Sequence, residues 1–162
     1  MNRVVMTLVV TLVLATCPEA FAQARPDLSG TWLLNYEKSG RGISGNSPDV
    51  VFSSQLVVTQ SPTELAVKRT SVRQAPFSAV YKLDGSRVNV AAPAGITETA
   101  EASFDGATLV IAYRRSFPTP AGEMVTEFKE IWSVSGNALT IKKTVTQAGE
   151  SQTESAVYVK SA

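Results

Sequence analysis

Apolar and polar residues alternate with a period of two from about residue 31 to the carboxyl end, and this pattern constrains the fold more than any other feature. Leu139-Thr140-Ile141-Lys142-Lys143-Thr144-Val145-Thr146 keeps one face apolar except at Lys143. Phe128, Glu130, Trp132 and Val134 alternate with Glu127, Lys129, Ile131 and Ser133. Leu109, Ile111 and Tyr113 form a similar face, as do Leu56 with Val58, Leu65 with Val67, and Trp32, Leu34 and Tyr36. A period of two means strands with one buried face, whereas helix signals are almost absent. Turn signals fall between the runs. Asp84-Gly85 and Asp105-Gly106 read as two-residue hairpin turns, because such turns need a positive φ that Gly supplies and Asp tolerates. Ser61-Pro62 and Ser135-Gly136-Asn137 read as looser reversals. The pattern predicts about ten strands near 31–36, 50–59, 64–71, 78–83, 86–91, 97–104, 107–117, 124–134, 138–146 and 154–160.

Short connections favour antiparallel neighbours. Strands with one apolar face leave exposed edges if the sheet stays flat, so it should curl and close. The expected fold is all-β: one antiparallel up-and-down barrel of about eight to ten strands. A two-sheet sandwich is the alternative, but only 37–49 and 147–153 look long enough for its crossing connections.

The first 22 residues have the form of a secretory signal peptide. Arg3 supplies a positive start, Val4 to Ala15 an apolar stretch broken only by Thr7 and Thr11, and Ala20-Phe21-Ala22 the small residues before a cut. The apolar run is about a dozen residues, short of the roughly 20 that span a bilayer. Leu14-Ala15-Thr16-Cys17 has some likeness to a lipoprotein signal, with Thr16 unfavourable before the cysteine. The expected organisation is a leader over 1–22 and a barrel domain over 23–162, secreted or periplasmic.

Composition excludes several functions. The 162 residues carry 15 Lys+Arg and 14 Asp+Glu, a formal charge of +1. That balance does not suit a nucleic-acid binder that relies on phosphate neutralisation. The chain has no His, so Ser-His-Asp and Cys-His catalysis and His-ligated metals are excluded. Its one cysteine, Cys17, lies in the leader, leaving the mature protein without thiol or disulfide. No catalytic constellation, cofactor or metal site is expected. Gly40-Arg41-Gly42-Ile43-Ser44-Gly45 has dinucleotide-loop spacing, but Asn46-Ser47-Pro48 blocks the helix that such a loop must open. The 37–49 segment is expected to be a loop over the barrel mouth or a solvated connection.

Asp27-Leu28-Ser29-Gly30-Thr31-Trp32 resembles the Gly-x-Trp opening of lipocalin-like, calycin-type barrels, in which the Trp closes one end. Tyr81-Lys82-Leu83-Asp84-Gly85, Phe104-Asp105-Gly106-Ala107-Thr108-Leu109 and Trp132-Ser133-Val134-Ser135-Gly136-Asn137-Ala138-Leu139 add hairpin signatures similar to those of small secreted bacterial proteins of that type. The resemblance covers nearly all of 27–160. It implies a lipocalin-like barrel and no particular activity.

The unusual feature is charge on apolar faces. A turn centred on Gly136-Asn137 sets Val134 opposite Leu139, Trp132 opposite Ile141 and Glu130 opposite Lys143. A turn within 118–123 sets Tyr113 opposite Phe128 and Ile111 opposite Glu130. The Asp105-Gly106 turn would set Glu98 opposite Tyr113. Glu98, Tyr113, Arg115, Glu130 and Lys143 should therefore share one face. Charges enter an interior only when paired and hydrogen-bonded. Such a group either holds strand register or orients a ligand in an otherwise apolar cavity. Trp32, Tyr36, Tyr81, Phe128 and Trp132 either line that cavity or fill the core. The ten candidate ligand-binding residues are thus Trp32, Tyr36, Tyr81, Glu98, Tyr113, Arg115, Phe128, Glu130, Trp132 and Lys143. The expected partner is a small apolar or amphiphilic molecule; the alternative is a non-enzymatic envelope interaction module with a filled core.

The leader predicts a mature amino terminus at Gln23, with Arg25 as second choice. Intact-mass measurement checks it, and a retained leader or a diacylated Cys17 would contradict it.

Overall fold

The computed structural model describes residues 25–39, 51–72, 75–92 and 94–161. The leader, its cleavage site, Cys17 and the glycine-rich stretch 40–45 lie outside the described residues. Ten strands and one helical turn follow in order: β1 Gly30–Leu34, α1 Tyr36–Ser39, β2 Gln55–Gln60, β3 Glu64–Thr70, β4 Phe77–Lys82, β5 Val88–Val90, β6 Thr97–Asp105, β7 Thr108–Thr119, β8 Gly122–Ser135, β9 Ala138–Gln147 and β10 Glu150–Lys160. They form one antiparallel sheet in the order β4-β3-β2-β1-β10-β9-β8-β7-β6-β5. β1 pairs with both β2 and β10, joining the amino- and carboxyl-terminal strands in one sheet, and a bridge from Asp84 to Ser103 brings the two sheet ends together. The result is a nearly closed up-and-down barrel of calycin type, not a sandwich.

Two expected turns differ. Asp84-Gly85 does not join a hairpin: β4 and β5 share no ladder and stand at opposite ends of the sheet. Asp84 instead bridges to Ser103, and the Gly85 N–H donates to the Ala102 carbonyl at 2.9 Å, so this dipeptide draws the two sheet ends together. In the β6–β7 hairpin Asp105 pairs with Thr108, so the turn is Gly106-Ala107, with Gly106 at φ 57°. The register thereby slides by one inward pair, setting Glu98 opposite Arg115 and Ala100 opposite Tyr113. The 147–153 connection is also shorter than expected: Gln147 pairs with Glu150 round a two-residue turn, and β10 starts there. Its polar run, Glu150 to Ser155, is largely exposed, so no alternation marks it as strand.

The remaining predicted registers hold, with Val134 opposite Leu139, Trp132 opposite Ile141, Glu130 opposite Lys143, and Tyr113 opposite Phe128. Inward-facing residues make two distinct zones. The end carrying the reversals at 61–63, 106–107 and 136–137 is filled by buried Leu28, Trp32, Leu65, Leu109 and Leu139. The amino-terminal segment closes this end: Leu28 N–H donates to Gln60 Oε1 at 3.0 Å, and Gln60 Nε2 donates to the Pro26 carbonyl at 3.1 Å. The Trp32 indole N–H donates to the Leu28 carbonyl at 2.8 Å, which satisfies its polar atom inside the core. Lys160 Nζ lies 5.4 Å from the Trp32 ring centroid. Gly30 adopts φ 132°, a conformation that L side chains avoid, and a Cβ there would stand 2.5 Å from Lys160 Cε.

Trp32 is therefore core at a sealed end. Trp32→Ala should destabilise the protein by about 3–5 kcal/mol, the range for large buried truncations. Denaturant melts measure this, and a loss under about 1 kcal/mol would contradict the seal.

Candidate functional site

At the opposite end the barrel is hollow. A cavity of about 850 Å³ is bounded by Val51–Ser53, Arg69, Phe77, Tyr81, Ile96, Glu98, Tyr113, Arg115, Phe128, Glu130, Lys143 and Val145, among others. A fixed loop residue adds to one wall. The Tyr158 hydroxyl, buried on β10, donates to the Ser53 carbonyl at 2.8 Å, and the Ser71 hydroxyl meets that of Ser53 at 3.3 Å.

The polar core of the site is Glu130, 1% exposed. β8 places it inward between Phe128 and Trp132, so its carboxylate needs compensation from inside the barrel. Arg69 Nη2 donates to Oε2 at 2.8 Å, and the Trp132 indole N–H donates to the same oxygen at 2.9 Å. The Tyr113 hydroxyl donates to Oε1 at 3.3 Å, and Lys143 Nζ stands 3.9 Å from that oxygen. Burial pushes the Glu130 carboxyl up, but the charges of Arg69 and Lys143 and the hydrogen bonds from Arg69 and Trp132 outweigh it, holding the pKa at about 2. Burial acts downward on Arg69 as well; there the Glu130 charge wins and the guanidinium is held more firmly protonated than usual. For Lys143 burial wins: its ammonium is pushed down, only partly offset by Glu130, with Arg69 and Arg115 adding to the push. Burial raises the Tyr113 hydroxyl, and the Glu130 charge raises it further.

A second ion pair lies beside the first. Arg115 Nε donates to Glu98 Oε2 at 2.7 Å, with Glu98 5% exposed. Aromatic rings support both. Tyr113 and Phe128 stack at 4.5 Å with an 8° interplanar angle. Lys143 Nζ lies 5.3 Å from the Phe128 centroid and 5.8 Å from that of Tyr113, and Arg69 lies 5.4 Å from the Trp132 ring. Such contacts favour cations in a partly desolvated site.

Of the ten candidate residues, seven border the cavity: Tyr81, Glu98, Tyr113, Arg115, Phe128, Glu130 and Lys143. Trp132 supports it from beneath through Glu130. Two stand elsewhere. Trp32 belongs to the sealed end. Tyr36 is 48% exposed because β1 stops at Leu34 and Tyr36 opens the helical turn α1. The Glu130–Lys143 neighbourhood is real, but Arg69 is the closer partner, and sequence reasoning overlooked it. Its signal was present: Leu65, Val67 and Arg69 continue one face of β3 at spacing two. Among the described residues no group of three or more Asp, Glu, Cys or His side chains is placed to hold a metal ion.

A carboxyl held near 2 in the folded protein and at an ordinary value of 4.5 in the unfolded chain links stability to pH. The contribution is fully present above about pH 4.5 and disappears as pH falls towards 2, on the order of 3 kcal/mol in all. Glu130→Gln should therefore flatten the loss of stability between pH 5 and 2. Urea melts across that range check it, and wild-type and variant curves that fall in parallel would contradict it.

No protein-family model and no curated protein matches the sequence. Among solved structures, the chain is similar to zebrafish ileal bile acid-binding protein complexed with cholic acid, with 15% identity and a TM-score of 0.54. The match covers 82% of this chain and 98% of that one. At this identity the likeness concerns the fold, and it agrees with the calycin-type barrel described above.

Proposed function

We propose that this protein is an exported barrel that binds one small apolar or amphiphilic molecule inside its hollow end. The observation that carries this reading is the cavity of about 850 Å³, whose mixed wall sets Phe52, Phe77, Ile96, Phe128 and Val145 beside the fixed Arg69–Glu130 and Arg115–Glu98 pairs. Small-molecule sites usually occupy roughly 300–1,000 Å³ and combine polar groups that orient with apolar surface that binds; this one is more polar than most, which suits an amphiphile. The bile acid-binding barrel offers a precedent for an amphiphile in this fold. Export rests on the leader-like residues 1–22 and places the protein in the periplasm or outside the cell, as in the small secreted bacterial barrels it resembles. The reading is non-enzymatic. Glu130 is held too acidic to donate a proton near neutral pH, and the chain has no His to activate a nucleophile. The alternative, an interaction module with a filled core, requires an interior without this volume.

Native mass spectrometry of protein purified from its own source tests the proposal. One small molecule should be carried per chain and released on denaturation, and protein stripped of it should take up a neutral hydrophobic dye such as Nile red. Protein that carries nothing and excludes the dye would overturn it.

A further inference from the structure

Resting on that reading, we infer that the ligand carries a single negative charge, seated on the Lys143 ammonium at the floor of the cavity with its apolar part directed away from the sealed end. The charge balance of the wall is uneven. Among the described residues that border the cavity, Arg69, Arg115 and Lys143 are cations and Glu98 and Glu130 are carboxylates, three against two. Both carboxylates are already committed at short range to the arginines, Glu130 to Arg69 at 2.8 Å and Glu98 to Arg115 at 2.7 Å. Apart from the Phe128 and Tyr113 rings, the Lys143 ammonium has among the described residues only the 3.9 Å approach to Glu130, longer than a hydrogen bond. Glu154 stands opposite Lys143 on β10, yet it is only half-buried, makes no ion pair with Lys143 and is not part of the cavity wall.

An ammonium with its side chain 16% exposed retains hydrogen-bonding capacity that the two committed carboxylates do not satisfy. An anionic oxygen from a ligand would satisfy it through a charge-assisted bond and neutralise the surplus. The same arrangement disfavours a cationic head, which would meet three positive groups. It also disfavours a doubly charged head, which would leave a second charge without a free partner. Orientation follows from position along the strands. Val145 and Phe128 lie one inward step from Lys143 and Glu130, on the side away from the sealed end; Phe77 opens β4 and Ile96 immediately precedes β6, both nearest the hollow end. Those side chains would hold the apolar part, leaving the charged group beside Lys143.

Isothermal titration of the ligand-stripped full chain at neutral pH with decanoate, 1-decanol and decylamine tests this. Decanoate should bind about tenfold or more tightly than decanol, and decylamine weakest. Lys143→Met should remove that preference, bringing decanoate down to the affinity of decanol for the same variant, and Lys143→Arg should keep it. Equal binding of decanoate and decanol by the wild type, or an undiminished preference in Lys143→Met, would overturn the anionic head while leaving the cavity reading in place. Absence of binding by all three would overturn both.

Discussion

A carboxylate shut inside an apolar barrel is tolerated only when its charge is answered there, and at Glu130 the answer comes from across the interior. Arg69 is on β3 and Glu130 on β8, strands that are not neighbours in the sheet, so their 2.8 Å contact ties opposite walls together. Trp132 and Tyr113 donate to the same carboxylate from β8 and β7. The cluster lies between two zones of different character. On one side Trp32, Leu65, Leu109 and Leu139 pack to full burial; on the other lies the cavity, with Ser53 held in its wall by Tyr158. The floor of that cavity is thus the top of a satisfied polar layer, and its rigidity comes from the same bonds that make the buried charge tolerable.

This arrangement links stability and the proposed recognition without making them the same. Replacing a buried ion pair by apolar residues is often neutral for stability, so stability alone gives little reason for Glu130, Arg69, Glu98 and Arg115 to stand on inward faces. Their arrangement makes more sense as a template. Each arginine is held at a defined place by its carboxylate, the stacked Tyr113 and Phe128 rings form a firm wall, and Lys143 remains with the weakest internal partner.

Much of the barrel could be read from local pattern, because each strand advertises its buried face at spacing two and hairpins pair neighbours in the chain. Glu130 opposite Lys143 and Tyr113 opposite Phe128 are contacts of this kind. What escaped was set by single residues in turns or by distance in the chain. Placing the β6–β7 turn at Gly106-Ala107 rather than Asp105-Gly106 moves Glu98 from Tyr113 to Arg115. Asp84-Gly85 has hairpin chemistry, yet it serves the closure of the barrel, where its partner is Ser103 rather than the next strand. Arg69 meets Glu130 across 61 residues, and no local periodicity reports a contact across a barrel. Tyr36 continues the alternation of β1, but Asn35 ends the strand: its side chain accepts from the Lys38 N–H at 2.9 Å and caps α1.

The central claim is that the Arg69–Glu130 pair is buried and joins the two walls. A double-mutant cycle with Arg69→Met and Glu130→Gln, read by denaturant unfolding, tests it most directly. Each single change should destabilise by about 3–5 kcal/mol, since it leaves the other partner buried and uncompensated, and the double variant should lose much less than the sum. Single losses under about 1 kcal/mol that simply add would contradict the account, because only an exposed or separated pair behaves that way.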